Sequence, residues 1–338
     1  MKRFSLLLPL LLILFSACID DILPPQNSEI VYGDHPLQKF KLHLPANHNA
    51  QTKVVILVHG GGWVMGYNPN GEVTTFSGRY GWNLLSPLLE KGYACAVMKY
   101  RTACYNTVPE EFSNNTNFYL DRMMEDIDLV IDYLKMNATN LGIRDDHFQL
   151  VGESAGGHIV MMYGIRSDAD PDLKSVVPMF GPTDLDAQDF KEIINDVPLL
   201  VAEAPNYFLK RANNCTSVTN QQVRTLNSLK SFSDHAEIKI TEPNTFLDTI
   251  STTSSFNIQR NTPLFITHGA DDALVPQTQA EAMLDAMETA FGTSTCGEND
   301  FACPLKMKLY ENCGHGWTGG NCQKQQVMND IVEWLESH

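Results

Sequence analysis

Leu150-Val151-Gly152-Glu153-Ser154-Ala155-Gly156-Gly157 sets a serine at the centre of a Gly-x-Ser-x-Gly pentapeptide. The apolar residues Phe148, Leu150 and Val151 lead into it, and a helix-like segment, Ile159 to Ile165, follows. Strand, tight turn and helix are the local order that a nucleophile elbow requires. In such a turn the chain reverses within a few residues and leaves a hydroxyl protruding, which strains the backbone at Ser154. Gly152 and Gly156 carry no Cβ, so strand and helix can approach closely on either side of it. The pentapeptide is common by chance. Its meaning depends on whether the rest of the chain supplies an oxyanion hole, a base and an acid.

Outward from that stretch, apolar runs alternate with amphipathic ones. Lys53 to Val58 holds the unbroken run VVILV and stops at His59-Gly60-Gly61-Gly62-Trp63. Tyr93 to Tyr100, Ser175 to Phe180, Pro263 to Thr267 and Lys306 to Tyr310 read as further strands, and Lys39 to Leu44 alternates as a half-exposed strand does. Helical patterns separate them at Leu84–Lys91, Leu120–Met136, Gln277–Phe291 and Lys324–Leu335. Within the second of these, Met123, Met124, Ile127, Val130, Ile131 and Leu134 share one stripe. This alternation predicts an α/β fold, with a mostly parallel central sheet and helices on both faces. Sites in such sheets gather at the carboxyl ends of strands, and here each polar motif follows an apolar strand.

Residues 183 to 260 lose this regularity and are rich in Asn, Thr and Ser, as expected of an insertion or cap over the active-site end. The expected layout is a leader over 1–18, a tether over 19–30 and one α/β domain over 31–338. A length of 338 residues with 43% hydrophobic content fits that single domain.

The formal net charge is −16, from 24 basic and 40 acidic residues, and becomes −18 once Lys2 and Arg3 leave with a leader. Such a surface argues against nucleic acid or anionic membrane as a partner, because phosphate binding needs clustered cations. Lys2 and Arg3 precede the apolar run Leu6 to Phe15, and Ser16 and Ala17 then lead to Cys18. That run is too short to span a bilayer and has the flanks of a secretory signal. Phe15-Ser16-Ala17-Cys18 resembles a bacterial lipobox, which predicts an outer-membrane lipid anchor on Cys18. The following Ile19-Asp20-Asp21 resembles the acidic signal of surface-exposed, Bacteroidetes-type lipoproteins. The rival reading is an ordinary cleaved signal with an incidental cysteine. Both export the chain.

Apart from Cys18, seven of the eight cysteines remain, and four of them fall between 296 and 322. Local bridges Cys296–Cys303 and Cys313–Cys322 are expected in an oxidising compartment, with Cys104–Cys215 as a further candidate pair, although connectivity does not follow from sequence. Cys95 lies within a strand pattern and reads as a buried thiol. No Cys-x-x-Cys spacing suggests zinc, and no other cofactor is called for.

A serine hydroxyl is a weak nucleophile until a base takes its proton. His315, in Cys313-Gly314-His315-Gly316-Trp317 after the final strand, is the candidate base. Asp272, just after Pro263–Thr267, is the candidate acid that orients the imidazole, with Asp271 as its rival. The order Ser154, Asp272, His315 is that of the α/β-hydrolases. The amides of Gly61, Gly62 and Ala155 are the candidate oxyanion hole. Trp63, Tyr67, Tyr80, Trp82 and Trp317 are candidates to line a substrate pocket or, equally, to pack loops. His59 reads as a brace of the oxyanion loop, His158 and His268 as locally satisfied, Glu153 as a partly buried neighbour, and Asp184 as a turn or cap residue. Three Asn-x-Thr sequons, at Asn114, Asn137 and Asn214, carry little weight in a bacterial lipoprotein.

Taken together, HGGGW, GESAGG, GPTDL, HGADDALVP and GHGW resemble the esterase/lipase branch of the α/β-hydrolase superfamily, most closely the hormone-sensitive-lipase-like and feruloyl/acetyl-esterase-like carboxylesterases. The resemblance covers roughly residues 30–182 and 262–335, and its His-Gly-x-x-Asp-x-x-Val-Pro pattern selects Asp272 over Asp271. It implies a cofactor-free serine carboxylesterase acting on small or polysaccharide-linked esters, such as acetyl or feruloyl groups. An exopeptidase-type serine hydrolase and an inactive surface binding protein on the same scaffold are the alternatives. Oligomeric state is left open.

Overall fold

Five consecutive aliphatic side chains, Val54 to Val58, give a strand no polar face, and all five are buried. The computed structural model describes residues 29–63, 76, 82–102, 118–184, 187, 189, 258–292, 295–297 and 299–338, apart from the side chains of 118–121. Eight strands form one sheet: β1 (Glu29–Val31), β2 (Lys39–His43), β3 (Val54–Val58), β4 (Ala94–Met98), β5 (Phe148–Glu153), β6 (Leu173–Met179), β7 (Leu264–Gly269) and β8 (Leu305–Tyr310). Their spatial order is β1-β2-β4-β3-β5-β6-β7-β8. The β1–β2 and β2–β4 pairs are antiparallel, and every later pair is parallel.

Helices α1 (Leu85–Glu90), α2 (Phe118–Met136), α3 (Ala138–Leu141), α4 (Ala155–Ile165), α5 (Thr278–Phe291) and α6 (Lys324–Ser337) cover this sheet. The period-2 alternation of β3 divides them between its faces. Val54, Ile56 and Val58 join the core formed with α2, α4 and α5, including the predicted stripe from Met123 to Leu134. Val55 and Leu57 join the opposite core with Leu88 of α1 and Val327, Ile331 and Trp334 of α6. The predicted mostly parallel α/β sheet is therefore the one observed.

Helix α4 is buried along its whole length, so it must lie hard against the sheet. Gly152 and Gly156 permit this. A Cβ on Gly156 would come within 2.2 Å of the Val58 carbonyl oxygen, and one on Gly152 within 2.2 Å of the Gly156 carbonyl oxygen. Both are impossible contacts, so the two glycines of the pentapeptide are required by close approach.

Strand β1 overlaps the segment expected to be tether. It pairs Ile30 with Phe40 and buries only Ile30. Three residues with one buried side chain are too short for a periodic signal. The bridges Cys296–Cys303 and Cys313–Cys322 are both present, and Cys95 is a buried free thiol whose pKa burial pushes well up. Cys18, Cys104 and Cys215 lie outside the described residues, as does most of the expected insertion. No described helix is long and apolar enough to cross a membrane.

Candidate active site

Ser154 stands between β5 and α4 with φ 52° and ψ −119°. A non-glycine residue held there stores roughly 1–3 kcal/mol of strain, which the surroundings must over-determine. They do so through its backbone: the Ser154 N–H donates to the Met179 carbonyl at 2.9 Å, and its own carbonyl accepts from the His158 N–H at 3.0 Å.

His315 lies in a short 3-10 turn (His315–Trp317) beyond β8. Its Nε2 is 3.0 Å from Ser154 Oγ, and its Nδ1 is 2.8 Å from Asp272 Oδ2. Asp272, in the turn after β7, accepts the Leu274 and Val275 N–H groups on Oδ1, each at 2.9 Å. Two fixed donors on one oxygen leave the other free for the imidazole. An ionised Asp272 can only accept, so His315 carries its proton on Nδ1 and offers Nε2 to the serine. Asp271 is exposed and meets the histidine loop only through its backbone, its N–H donating to the Cys313 carbonyl at 3.0 Å. Of the two adjacent aspartates, Asp272 is the one that meets His315.

The glycine loop after β3 runs against the elbow, where a Cβ on Gly60 would come within 2.9 Å of the Glu153 carbonyl and 3.0 Å of Ser154 Cβ. Gly61 and Gly62 follow with φ of 112° and 56°, backbone that glycine adopts without strain. Ala155 opens α4, where first-turn N–H groups have no acceptor within the helix. The three expected oxyanion donors thus lie on the two segments that flank Ser154. Glu153 has a role not legible in the sequence: its Oε1 accepts the Gly60 N–H at 3.2 Å and ties the loop to the elbow. A carboxylate next to the nucleophile was the available signal, but its partner is 93 positions away.

His59 braces the same loop. Its ring stacks on Tyr100 at 4.3 Å, its Nδ1–H donates to the Gly60 carbonyl at 2.7 Å, and the Tyr100 hydroxyl donates to the His59 carbonyl at 3.1 Å. His158 Nδ1 accepts the Trp63 Nε1–H at 3.3 Å. His268 Nε2–H donates to the Val275 carbonyl at 2.8 Å and lies 3.6 Å from Asp272 Oδ2. Thr183 and Asp184 are buried, and both give their N–H groups to Gln279 Oε1 at 2.8 Å.

Trp63, Trp82 and Trp317 are 4%, 3% and 0% exposed, so in this conformation their rings have almost no face to offer a substrate. Trp63 holds His158, and Trp82 packs edge-on to Phe76 at 5.8 Å. Trp317 lies against Phe180 and Tyr310, and Phe180 in turn meets the His315 ring at 4.9 Å. Phe180, the last apolar residue of its run, is a backing for the histidine that the sequence did not reveal. Tyr67 and Tyr80 lie outside the described residues. Among the described residues, no three His, Cys, Asp or Glu side chains converge as a metal site.

Burial pushes the pKa of His59 down to about 4 and that of His158 to about 3, so both are neutral at pH 7. In the unfolded chain each takes a proton near pH 6.5. Between that pH and the folded values the unfolded state binds more protons, so stability is full above pH 6.5 and is lost as pH falls. Each histidine is expected to cost on the order of 2–3 kcal/mol by pH 4.5. Urea midpoints at pH 7 and pH 4.5 test this, and equal midpoints would rule it out.

The sheet order, together with a serine elbow after β5, defines an α/β-hydrolase. Residues 40–287 match the BD-FAE family, and the chain belongs to that family of α/β-hydrolase esterases. An isoprenylcysteine alpha-carbonyl methylesterase of Arabidopsis thaliana is 29% identical over 130 residues, which is 38% of this chain and 25% of that protein. The chain therefore spans about a quarter of the length of such curated relatives. A probable carboxylic ester hydrolase, LipM of Mycobacterium tuberculosis, is 23% identical over 246 residues, or 69% of this chain and 44% of its own length. Among solved structures, a truncated carbohydrate esterase from gut microbiota has a TM-score of 0.51 at 17% identity, covering 91% of this chain and 95% of that one. Esterase B of Lactobacillus rhamnosis has a TM-score of 0.57 at 16% identity, covering 91% and 84%. These two likenesses are ones of fold.

Proposed function

We propose that this protein is a serine carboxylesterase working through an acyl-enzyme. The observation that carries the reading is the unbroken hydrogen-bond chain from Ser154 through His315 to Asp272. Ser154 Oγ attacks the ester carbonyl while His315 Nε2 takes its proton and Asp272 steadies the resulting imidazolium. The oxygen that becomes negative is met by the amides of Gly61, Gly62 and Ala155, donors fixed before the reaction begins. His315 then gives its proton to the leaving alcohol, a water repeats the cycle, and the acid departs. Trp317 and Phe180 back the histidine, and no step calls for a cofactor.

Membership of the BD-FAE family, with the resemblance to feruloyl/acetyl esterases, favours a carbohydrate that carries small acyl groups as the substrate. A panel in which the acyl group and the alcohol vary separately tests this. Acetyl and feruloyl sugar esters should be cleaved with higher kcat/KM than long-chain acyl esters. A reversed preference would point to a lipase-like pocket instead.

Export is part of the same reading. Two disulfides in the described residues suit an oxidising compartment, and Cys18 follows a lipobox-like Phe15-Ser16-Ala17. Labelled palmitate should enter the wild-type protein and not Cys18→Ser. Equal labelling of the two would sink the anchor.

A further inference from the structure

His315 is carried by no long regular element: β8 ends at Tyr310, α6 begins at Lys324, and the turn between them is irregular. Asn312, Gly316, Trp317 and Gly319 all have positive φ, at 59°, 68°, 58° and 117°. Trp317 is neither a glycine nor an asparagine, so the backbone at this point is one the chain would leave if released. Restraints of different kinds hold it. At the entry, the Cys313 carbonyl accepts the Asp271 N–H at 3.0 Å, and Gly269 packs so closely there that a Cβ would come within 2.1 Å of that oxygen. In the middle, Trp317 is fully buried against Phe180 and Tyr310. At the exit, the Cys322 N–H reaches the Gly319 carbonyl at a long 3.4 Å, and the covalent tie there is the Cys313–Cys322 bridge. It brings Cα atoms nine positions apart to 4.7 Å, with His315 inside the closed loop.

On the reading of His315 as catalytic base, we propose that the Cys313–Cys322 disulfide is a positioning clasp for this histidine. Closed, it holds Nε2 on Ser154 Oγ and Nδ1 on Asp272. Open, it lets the loop relax and turnover falls while the sheet stays folded. Cys313 is buried and Cys322 only partly so, which makes Cys322 Sγ the accessible sulfur. A dithiol reductant would attack there as thiolate, and Cys313 would leave and take a proton. The reagent's second thiol then displaces Cys322. Two electrons and two protons pass to the protein, and the reagent ends as a cyclic disulfide.

The test pairs Cys313→Ala/Cys322→Ala with Cys296→Ala/Cys303→Ala, which opens the bridge in the loop before β8. Misplacing a catalytic group by about 1 Å can cost on the order of 100-fold. With Trp317 still anchored, the first pair should lose roughly 10- to 100-fold in kcat on p-nitrophenyl acetate, with KM within about twofold and native far-UV circular dichroism. The low-field proton resonance of the His315 Nδ1–H against Asp272 should broaden or vanish. The second pair should keep both kcat and the resonance. Wild-type kcat with an intact resonance in the first pair overturns the proposal. Should that variant not fold, mild dithiol treatment of the native protein replaces it, with thiols at 313 and 322 counted by mass spectrometry after an acid quench. Activity that falls as those thiols appear and returns on reoxidation supports the clasp, and full activity with both reduced overturns it. The resonance needs no substrate. A wild type inert on every ester would thus count against the esterase reading, and the resonance would still decide the clasp.

Discussion

Ser154→Ala is expected to lower ester turnover by about four to six orders of magnitude, since removing the nucleophile of a triad that acts as a unit costs about as much as removing all three members. Any remainder would come from the oxyanion donors and substrate binding alone. The fold should not suffer. Alanine also has a Cβ, so the strain at φ 52° is the same with either side chain, and the backbone bonds to Met179 and His158 do not involve the hydroxyl. What alanine cannot make is the hydrogen bond from the serine hydroxyl to His315, 3.0 Å long and partly buried. Turnover of a cleaved ester, thermal melting and labelling by a fluorophosphonate probe separate the possibilities. A Ser154→Ala protein that melts like wild type, takes no label and hydrolyses nothing supports the acyl-enzyme. If wild type and variant were equally inert across the ester panel and equally unlabelled, a binding protein on a hydrolase scaffold would be the better reading.

Signals that repeat along the chain are legible in the sequence. The strands from β2 to β8 each bury enough consecutive or alternating apolar residues to declare themselves, and the motifs that follow them name Ser154, Asp272 and His315 without coordinates. Close approach at Gly152 and Gly156 is also predictable, because a strand–turn–helix reversal leaves no room for a Cβ. What is not legible lies in the third dimension. An aromatic residue just past a strand end can face the rim or the core. Trp63, Trp82 and Trp317 face the core, one holding His158 and one lying behind Phe180. Glu153 and Gly60 meet only because β3 and β5 are neighbours in the sheet. Strand β1 escapes a sequence reading because a single buried isoleucine makes no pattern. The two local bridges are foreseeable because short separations are the easiest to close, yet nothing in the spacing says that one of the loops would hold the histidine.

Asp272→Asn should lower turnover by about 10⁴-fold with little change in stability, whereas Asp271→Asn should stay within about twofold of wild type. The geometry dictates the difference. The Leu274 and Val275 N–H groups both point at Oδ1 of Asp272, so an asparagine there must turn its carbonyl oxygen towards them. Its NH₂ group then faces His315 Nδ1, now as a donor where the carboxylate was an acceptor. To meet it, His315 must bare Nδ1 and move its proton to Nε2, the atom that has to accept from Ser154. The base is occupied before the reaction starts. The His268 Nε2–H, 3.6 Å from the same oxygen in the native protein, would meet a second donor and reinforce the fault. Asp271, by contrast, is exposed and touches the loop only through its backbone N–H, which asparagine keeps. Steady-state kinetics of the two variants at pH 7 decide between them. A larger loss in Asp271→Asn would move the acid by one residue and require the β7 turn to rearrange on substrate binding.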